Sequence, residues 1–153
     1  MVLFALVLAV AVPFIVGVVE FGERQLEVAQ LQDALQQSAR ASVQLLDYAA
    51  LAENGERIDP QRVEQVARQT FLQNLATVHG LREPAEMLVN QVEWTILPSG
   101  GTCVFDGRPA QTFTTPAVCA QVRPVMTGFG ILSAFGDYHP HITAASTLDR
   151  IEH

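Results

Sequence analysis

A helical pattern running through residues 1–53 constrains this chain more than any other feature. It has two characters. Met1–Val19 (MVLFALVLAVAVPFIVGVV) holds no charged and no strongly polar side chain. At ~1.5 Å per residue it extends roughly 28 Å, close to the hydrocarbon thickness of a bilayer. From Glu20 the same period continues with a polar face. Val28, Leu31, Leu35, Ala39, Val43, Leu46 and Ala50 fall at helical spacing, with Gln, Asp and Arg across from them. The frequent alanines, from Ala29 to Ala50, allow close helix approach. Asn54-Gly55 supplies a stop. A helix of roughly 78 Å has little purpose in a lone soluble domain. One half is therefore expected to pack against the rest of the chain, and the other against lipid or other subunits.

Within the apolar half, Pro13 removes a backbone donor and Gly17 lowers helix propensity one turn later. The pair marks a place for a kink or local unwinding, with an ordinary proline kink as the simpler reading. No Lys or Arg precedes Arg24, so the positive start of a secretory signal is missing. The segment fits an anchor whose short basic leader has been removed, against the competing reading of a cleaved signal. Glu20 closes the apolar run. It either pairs with a neighbouring subunit's Met1 amine or Arg24, or is an interfacial charge that reaches water.

These residues carry a resemblance. Phe4-Ala5-Leu6-Val7-Leu8, then Pro13, then Gly17-Val18-Val19-Glu20-Phe21-Gly22 resembles the N-terminal pattern of TadE-like pseudopilins, in the Flp/Tad branch of the type IV pilin superfamily. That pattern runs EFALxLP, an apolar stretch, then GxxEFGR. The match covers about the first 25 residues and rests on the order proline, glycine, glutamate, phenylalanine, glycine. Leu3 stands where the family has a glutamate, Ala5 stands where type IV pilins carry theirs, and Glu23 precedes Arg24. The resemblance implies subunits held in the membrane and then stacked helically by a dedicated assembly machine.

The rest of the chain reads as a small α+β domain. Asp59-Pro60 is a helix start, and Val63, Val66, Ala67, Phe71, Leu72, Leu75 and Val78 follow a helical period up to His79-Gly80. Met87–Leu97 reads as a strand, with a turn at Pro98-Ser99-Gly100-Gly101. Further strands are expected over Thr102–Phe105, Gln111–Thr115, Ala117–Met126 and Ile142–Leu148, with Pro109, Pro116 and Pro124 imposing irregular or edge pairing. The apolar, glycine-rich Gly128–Gly136 is either a loop packed on a partner or a buried crossing segment. Cys103 and Cys119 form a disulfide if the domain lies outside the cytoplasm, and are two buried thiols otherwise.

Composition narrows the function. With 153 residues the chain has room for one domain and an anchor. Its net charge of −7 argues against nucleic acid as a partner of the folded domain. His139-Pro140-His141, with His79 and His153 elsewhere, is short of a zinc-ligand set once the cysteines pair. No phosphate loop, nucleophile elbow or zinc-protease helix is present. Trp94 reads as core or interface, and Asp47 with Glu53 as a solvated helix pair.

The expectation is an α+β fold: a long N-terminal helix over 1–53 (1–19 in a membrane or filament core, 20–53 amphipathic), and a domain over 54–153 with a second helix and a small antiparallel sheet. The function expected is a structural pilin or pseudopilin, not an enzyme, with no cofactor and no metal. Its partners are copies of itself in a helical filament and related pilus subunits. It resides in the cytoplasmic membrane before assembly and at the cell surface after it. Phe4, Leu8, Pro13, Phe14, Gly17, Glu20 and Phe21 are the assembly residues. The alternative is a single-pass, membrane-anchored extracytoplasmic binding module that does not polymerise.

Overall fold

The computed structural model describes residues 2–51, 59–127 and 136–148, with side chains over 7–46, 59–127 and 136–148. Asn54-Gly55, most of Gly128–Gly136 and the tail from Asp149 lie outside the described residues, as do the side chains of Phe4, Asp47 and Ala50.

Helix α1 spans Val2–Leu51 and carries Pro13 inside it without interruption. The proline costs one backbone hydrogen bond, and the helix continues through it, so of the two readings left open local unwinding is not seen. Leu31, Leu35, Ala39, Val43 and Leu46 form one buried stripe. Ala34, Ser38, Ala39 and Ser42 keep the packed face of α1 narrow. The two serines donate back to the carbonyls of Ala34 and Ser38 (2.7 Å each), which lets them be buried without an outside partner.

Helix α2 spans Pro60–Leu75. Asp59 is its N-cap, accepting from the Gln61 amide at 3.0 Å, and Pro60 stands where a missing amide costs nothing. The helix ends at Leu75, one turn before the His79-Gly80 expected as its stop. The amides of Ala76, Thr77 and Val78 each bond three residues back, and the Thr77 hydroxyl takes the Asn74 carbonyl at 3.0 Å. This tightened turn ends the α-helix while keeping Val78 buried.

A third, short helix, α3 (Ala85–Gln91), corrects the reading of Met87–Leu97 as one strand. Pro84 starts it, its carbonyl accepting from Met87 and Leu88. Leu88 and Val89 are buried, and Arg68 of α2 donates to the Val89 carbonyl at 3.0 Å. Only Glu93–Leu97 remains as strand β1.

The sheet has the order β1-β4-β5 and is antiparallel throughout, with β4 (Ala117–Val122) central and β5 (Ile142–Thr147) at one edge. Its two faces follow the strand alternation. Val118, Ala120, Val122, Ile142 and Ala144 face the core that includes Leu31, Leu35, Phe71 and Leu88, with Trp94 and Ile96 packed against it. Gln32 and Gln36 of α1 donate to the outer carbonyls of β5, at Thr143 (2.7 Å) and Ala145 (2.8 Å). The helix thus closes that edge against further strand pairing.

The opposite face is covered by a separate two-stranded ladder, β2 (Gly101–Cys103) and β3 (Gln111–Phe113). Phe105, Leu97, Phe113 and Ala145 pack around the two cysteines. Cys103 and Cys119 are disulfide-bonded, and the bond ties this small ladder to the centre of the main sheet. A loop of this length is worth about 3 kcal/mol in the chain-entropy account. Replacing both cysteines by serine is expected to lower unfolding free energy by about that amount. Urea titration of parent and variant checks it. The helix–sheet core holds neither cysteine, so far-ultraviolet circular dichroism is expected to be unchanged.

Candidate assembly surface

From Val7 to Val19 the described residues of α1 are all apolar, and most of them are exposed, on more than one side of the helix. Phe14 is 71% exposed and Val10 65%. Val7, Leu8, Val12, Ile15, Val18, Val19, Phe21 and Leu26 are exposed as well. Adjacent pairs such as Phe14-Ile15 and Val18-Val19 point to different sides of a helix, so no single stripe accounts for the pattern. A helix apolar all round is one that is surrounded. A soluble monomer rarely leaves a continuous apolar surface of this size open.

Of the residues expected to act in assembly, Leu8, Phe14 and Phe21 lie on this surface and Pro13 is exposed among them. Gly17 is half-buried, and a side chain built there meets nothing within 4 Å. Phe4 lies in the same helix, its side chain outside the described set. Among the described residues no helix is long and apolar enough to cross a membrane. The run expected to do so, Met1–Val19, begins in side chains outside that set. Counted from Val7, an eighteen-residue stretch already takes in Glu20, Glu23 and Arg24.

Glu20 departs from the reading of a charge that reaches water: it is only 6% exposed, as is Glu27 two turns later. The two sit on one face of α1 with Arg24 between them. The Arg24 guanidinium lies 4.7 Å over the Tyr138 ring, within cation–π range. The Tyr138 hydroxyl points to a Glu27 carboxylate oxygen at 3.4 Å.

Backbone pairing holds this junction in place. Tyr138 exchanges both backbone hydrogen bonds with Met126 at 3.0 Å, and Thr127 donates to the Gly80 carbonyl at 3.0 Å. Arg82 donates to the Val125 carbonyl and pairs through its side chain with Asp137. Gly80 has a φ of 78°, and a side chain there would run into the Glu27 carboxylate. The positive φ is what favours glycine, and any side chain there would also have to displace the Glu27 carboxylate. The expectation that Gly80 stops α2 is corrected by the helix end at Leu75; the contact of Gly80 with Glu27 joins residues too distant in sequence for periodicity to show.

Burial lifts the Glu27 carboxyl above its usual range. The Tyr138 hydroxyl acts in the opposite direction, Glu23 adds to the rise, and His79 and Arg24 oppose it. The same burial, with the Glu27 charge, raises the Tyr138 phenol. A raised carboxyl pKa means that the folded protein holds this proton more tightly than the unfolded chain does. Its stabilising contribution is full below the ordinary value of 4.5 and is lost as pH rises through the folded value. Glu27→Gln, which keeps an acceptor for Tyr138 without the charge, is expected to melt above the parent at pH 7–8. The gain is expected to shrink as pH falls and to be gone below the ordinary carboxyl value. Thermal melts of both proteins across that range check the sign.

A second polar cluster lies beside the small ladder. Gln121 donates to Glu93 (2.6 Å) and accepts from the Asp106 amide (3.0 Å), with the His141 ring 3.3 Å away. Burial, then Arg123 and Arg108, lower the His141 pKa. The hydrogen bonds within the cluster are made among its own members. Among the described residues no group of three or more His, Cys, Asp or Glu could hold a metal ion.

The architecture defines an α+β protein in which half of one long helix belongs to its own domain's core and half stands outside it. Comparison with protein-family models, with curated proteins and with solved structures gives no match.

Proposed function

We propose that the chain is a structural subunit, a pilin or pseudopilin, of an extracellular filament of the type IV pilus kind. One observation carries the reading: the apolar, exposed surface of α1 over Val7–Val19, extended by exposed Phe21 and Leu26, lies directly ahead of the stripe Leu31–Leu46 that anchors the domain. The sequence resemblance over the first 25 or so residues points the same way. The mechanism is an exchange of surroundings. Before assembly, lipid of the cytoplasmic membrane holds the apolar half of α1; in the filament, neighbouring α1 helices replace it. Covering the exposed parts of ten such side chains contributes on the order of 10 kcal/mol per subunit before the costs of association. Contacts that do not close on themselves extend into a filament. The role asks for no cofactor and no catalytic group.

The test is electron microscopy of material sheared from cells producing the protein, with mass spectrometry of the same fraction. Filaments containing this chain support the proposal. A chain found only in membranes, as a monomer, overturns it and favours an anchored module that does not polymerise.

A further inference from the structure

Three short segments, 80–82, 125–127 and 136–138, lie side by side where α1 enters the domain. Leu81 bridges to Met126, and Met126 bridges to Tyr138. The first two segments are joined by the bonds from Arg82 to the Val125 carbonyl and from Thr127 to the Gly80 carbonyl. Met126 is fully buried in the main core, which fixes the middle segment. The third is held by less. Tyr138 is only partly buried against that core and exchanges two backbone bonds with Met126. Asp137 pairs with Arg82, and the Tyr138 side chain reaches Arg24 and Glu27.

What Tyr138 covers is an acid. Glu27 is 6% exposed, the Gly80 backbone abuts its carboxyl group, and the Tyr138 hydroxyl stands 3.4 Å from it. The titratable and charged groups that face it are Glu23 and Arg24 from α1, His79 from the turn after α2, and Tyr138 itself. A charge in this enclosure is poorly matched. Burial opposes it most, the Tyr138 bond favours it, Glu23 opposes it, and His79 and Arg24 favour it. A neutral carboxyl group carries no such cost. An open hollow of about 330 Å³, lined by Glu23, Leu26, Glu27, Gln30 and His79, lies alongside and gives the proton a route to solvent.

We propose that Glu27 and Tyr138 form a pH-operated latch: while Glu27 holds its proton the 136–138 segment is kept on α1, and when the proton leaves the segment opens more readily and lets water reach the carboxylate. The main core, with Met126 in it, stays closed. Opening bares the face of α1 around Arg24 and Glu27, next to exposed Leu26. The closed latch is favoured most below the ordinary carboxyl value of 4.5 and weakens as pH rises through the folded value. It is built from contacts within one chain and acts whether or not the chain assembles.

The experiment is amide hydrogen exchange, followed by NMR on the full-length protein in detergent between about pH 4 and about pH 8. Rates are expressed as protection factors, which remove the pH dependence of the exchange chemistry. The Tyr138 and Met126 amides bond to each other's carbonyls and report opening of the segment. The Ala120 amide, in the central strand, reports unfolding of the domain. In the parent, Tyr138 and Met126 are expected to be less protected than Ala120, and to lose at least about fivefold in protection from the acid to the alkaline end. In Glu27→Gln they are expected to keep the parent's acid-end protection throughout. In His79→Gln the parent's loss is expected to persist. Tyr138 and Met126 amides as protected as Ala120 would overturn the latch, because the segment then opens only with the whole domain. Parent protection that does not change with pH overturns it too, as does an equal loss in Glu27→Gln. A loss that disappears in His79→Gln belongs to the histidine and overturns it as well.

Discussion

Phe14→Asp is expected to abolish filament formation while changing the domain's unfolding free energy by no more than about 0.5 kcal/mol. The two halves of this result come from the same observation. Phe14 is 71% exposed and seventeen residues from Leu31, where the core stripe begins. Nothing in the helix–sheet core touches it, so the folded subunit loses no packing. In an assembly the same position is surrounded, and an unpaired carboxylate placed among apolar helices costs several kcal/mol per copy. That cost recurs at every subunit, which turns a moderate local penalty into loss of the polymer. Sedimentation of sheared material and urea unfolding of detergent-held protein measure the two halves separately. Assembly at the parent's level would mean that this face of α1 is not surrounded by other subunits.

Phe71→Ala is expected to do the reverse and lower stability by about 3–5 kcal/mol. Phe71 is fully buried in the cluster that includes Leu31 and Leu35 of α1, Leu88 of α3 and Val118 of β4. Truncation removes its transfer free energy and opens a cavity where three layers meet, with α1 too long to collapse into it. Domains of this size are stable by about 5–15 kcal/mol in all. The variant therefore loses a large part of its margin, more than the cysteine-to-serine protein does. Chemical denaturation checks the size of the loss. A loss under about 1 kcal/mol would mean that α1 and α2 do not share one core.

The parts of the fold that the sequence discloses are those set by local chemistry or a long period. The stripe from Leu31 to Leu46 is legible because several turns repeat one spacing. The start of α2 is legible because Asp59 and Pro60 each solve a local problem at a helix terminus. Helix α3 is missed because a seven-residue element with two adjacent buried residues has no period to distinguish it from a strand. The pairing of Cys103 with Cys119 is anticipated, but not its place between a small ladder and the main sheet, which depends on strand order.

The assembly surface is legible as an apolar run, since its character lies in composition. The junction at its edge is not. Tyr138 and Glu27 meet across 111 residues of sequence, and the fit of Gly80 against that carboxylate exists only once the chain has folded. From sequence Glu20 is either paired with a neighbouring subunit or a charge that reaches water; that it is only 6% exposed is encoded in no pattern along α1. The same holds for Gln32 and Gln36, which appear as polar-face residues and prove to cap the edge of β5.

The central claim is that the apolar surface of α1 over Val7–Val19 is enclosed by other copies of the same helix. A helical reconstruction by cryo-electron microscopy, from filaments sheared off producing cells, tests it most directly. The account predicts that Val10, Phe14 and Val18 lie in the filament core, in contact with neighbouring α1 helices, while the sheet and α2 face outward. A filament in which these side chains face solvent would contradict it, as would preparations in which the chain never leaves the membrane.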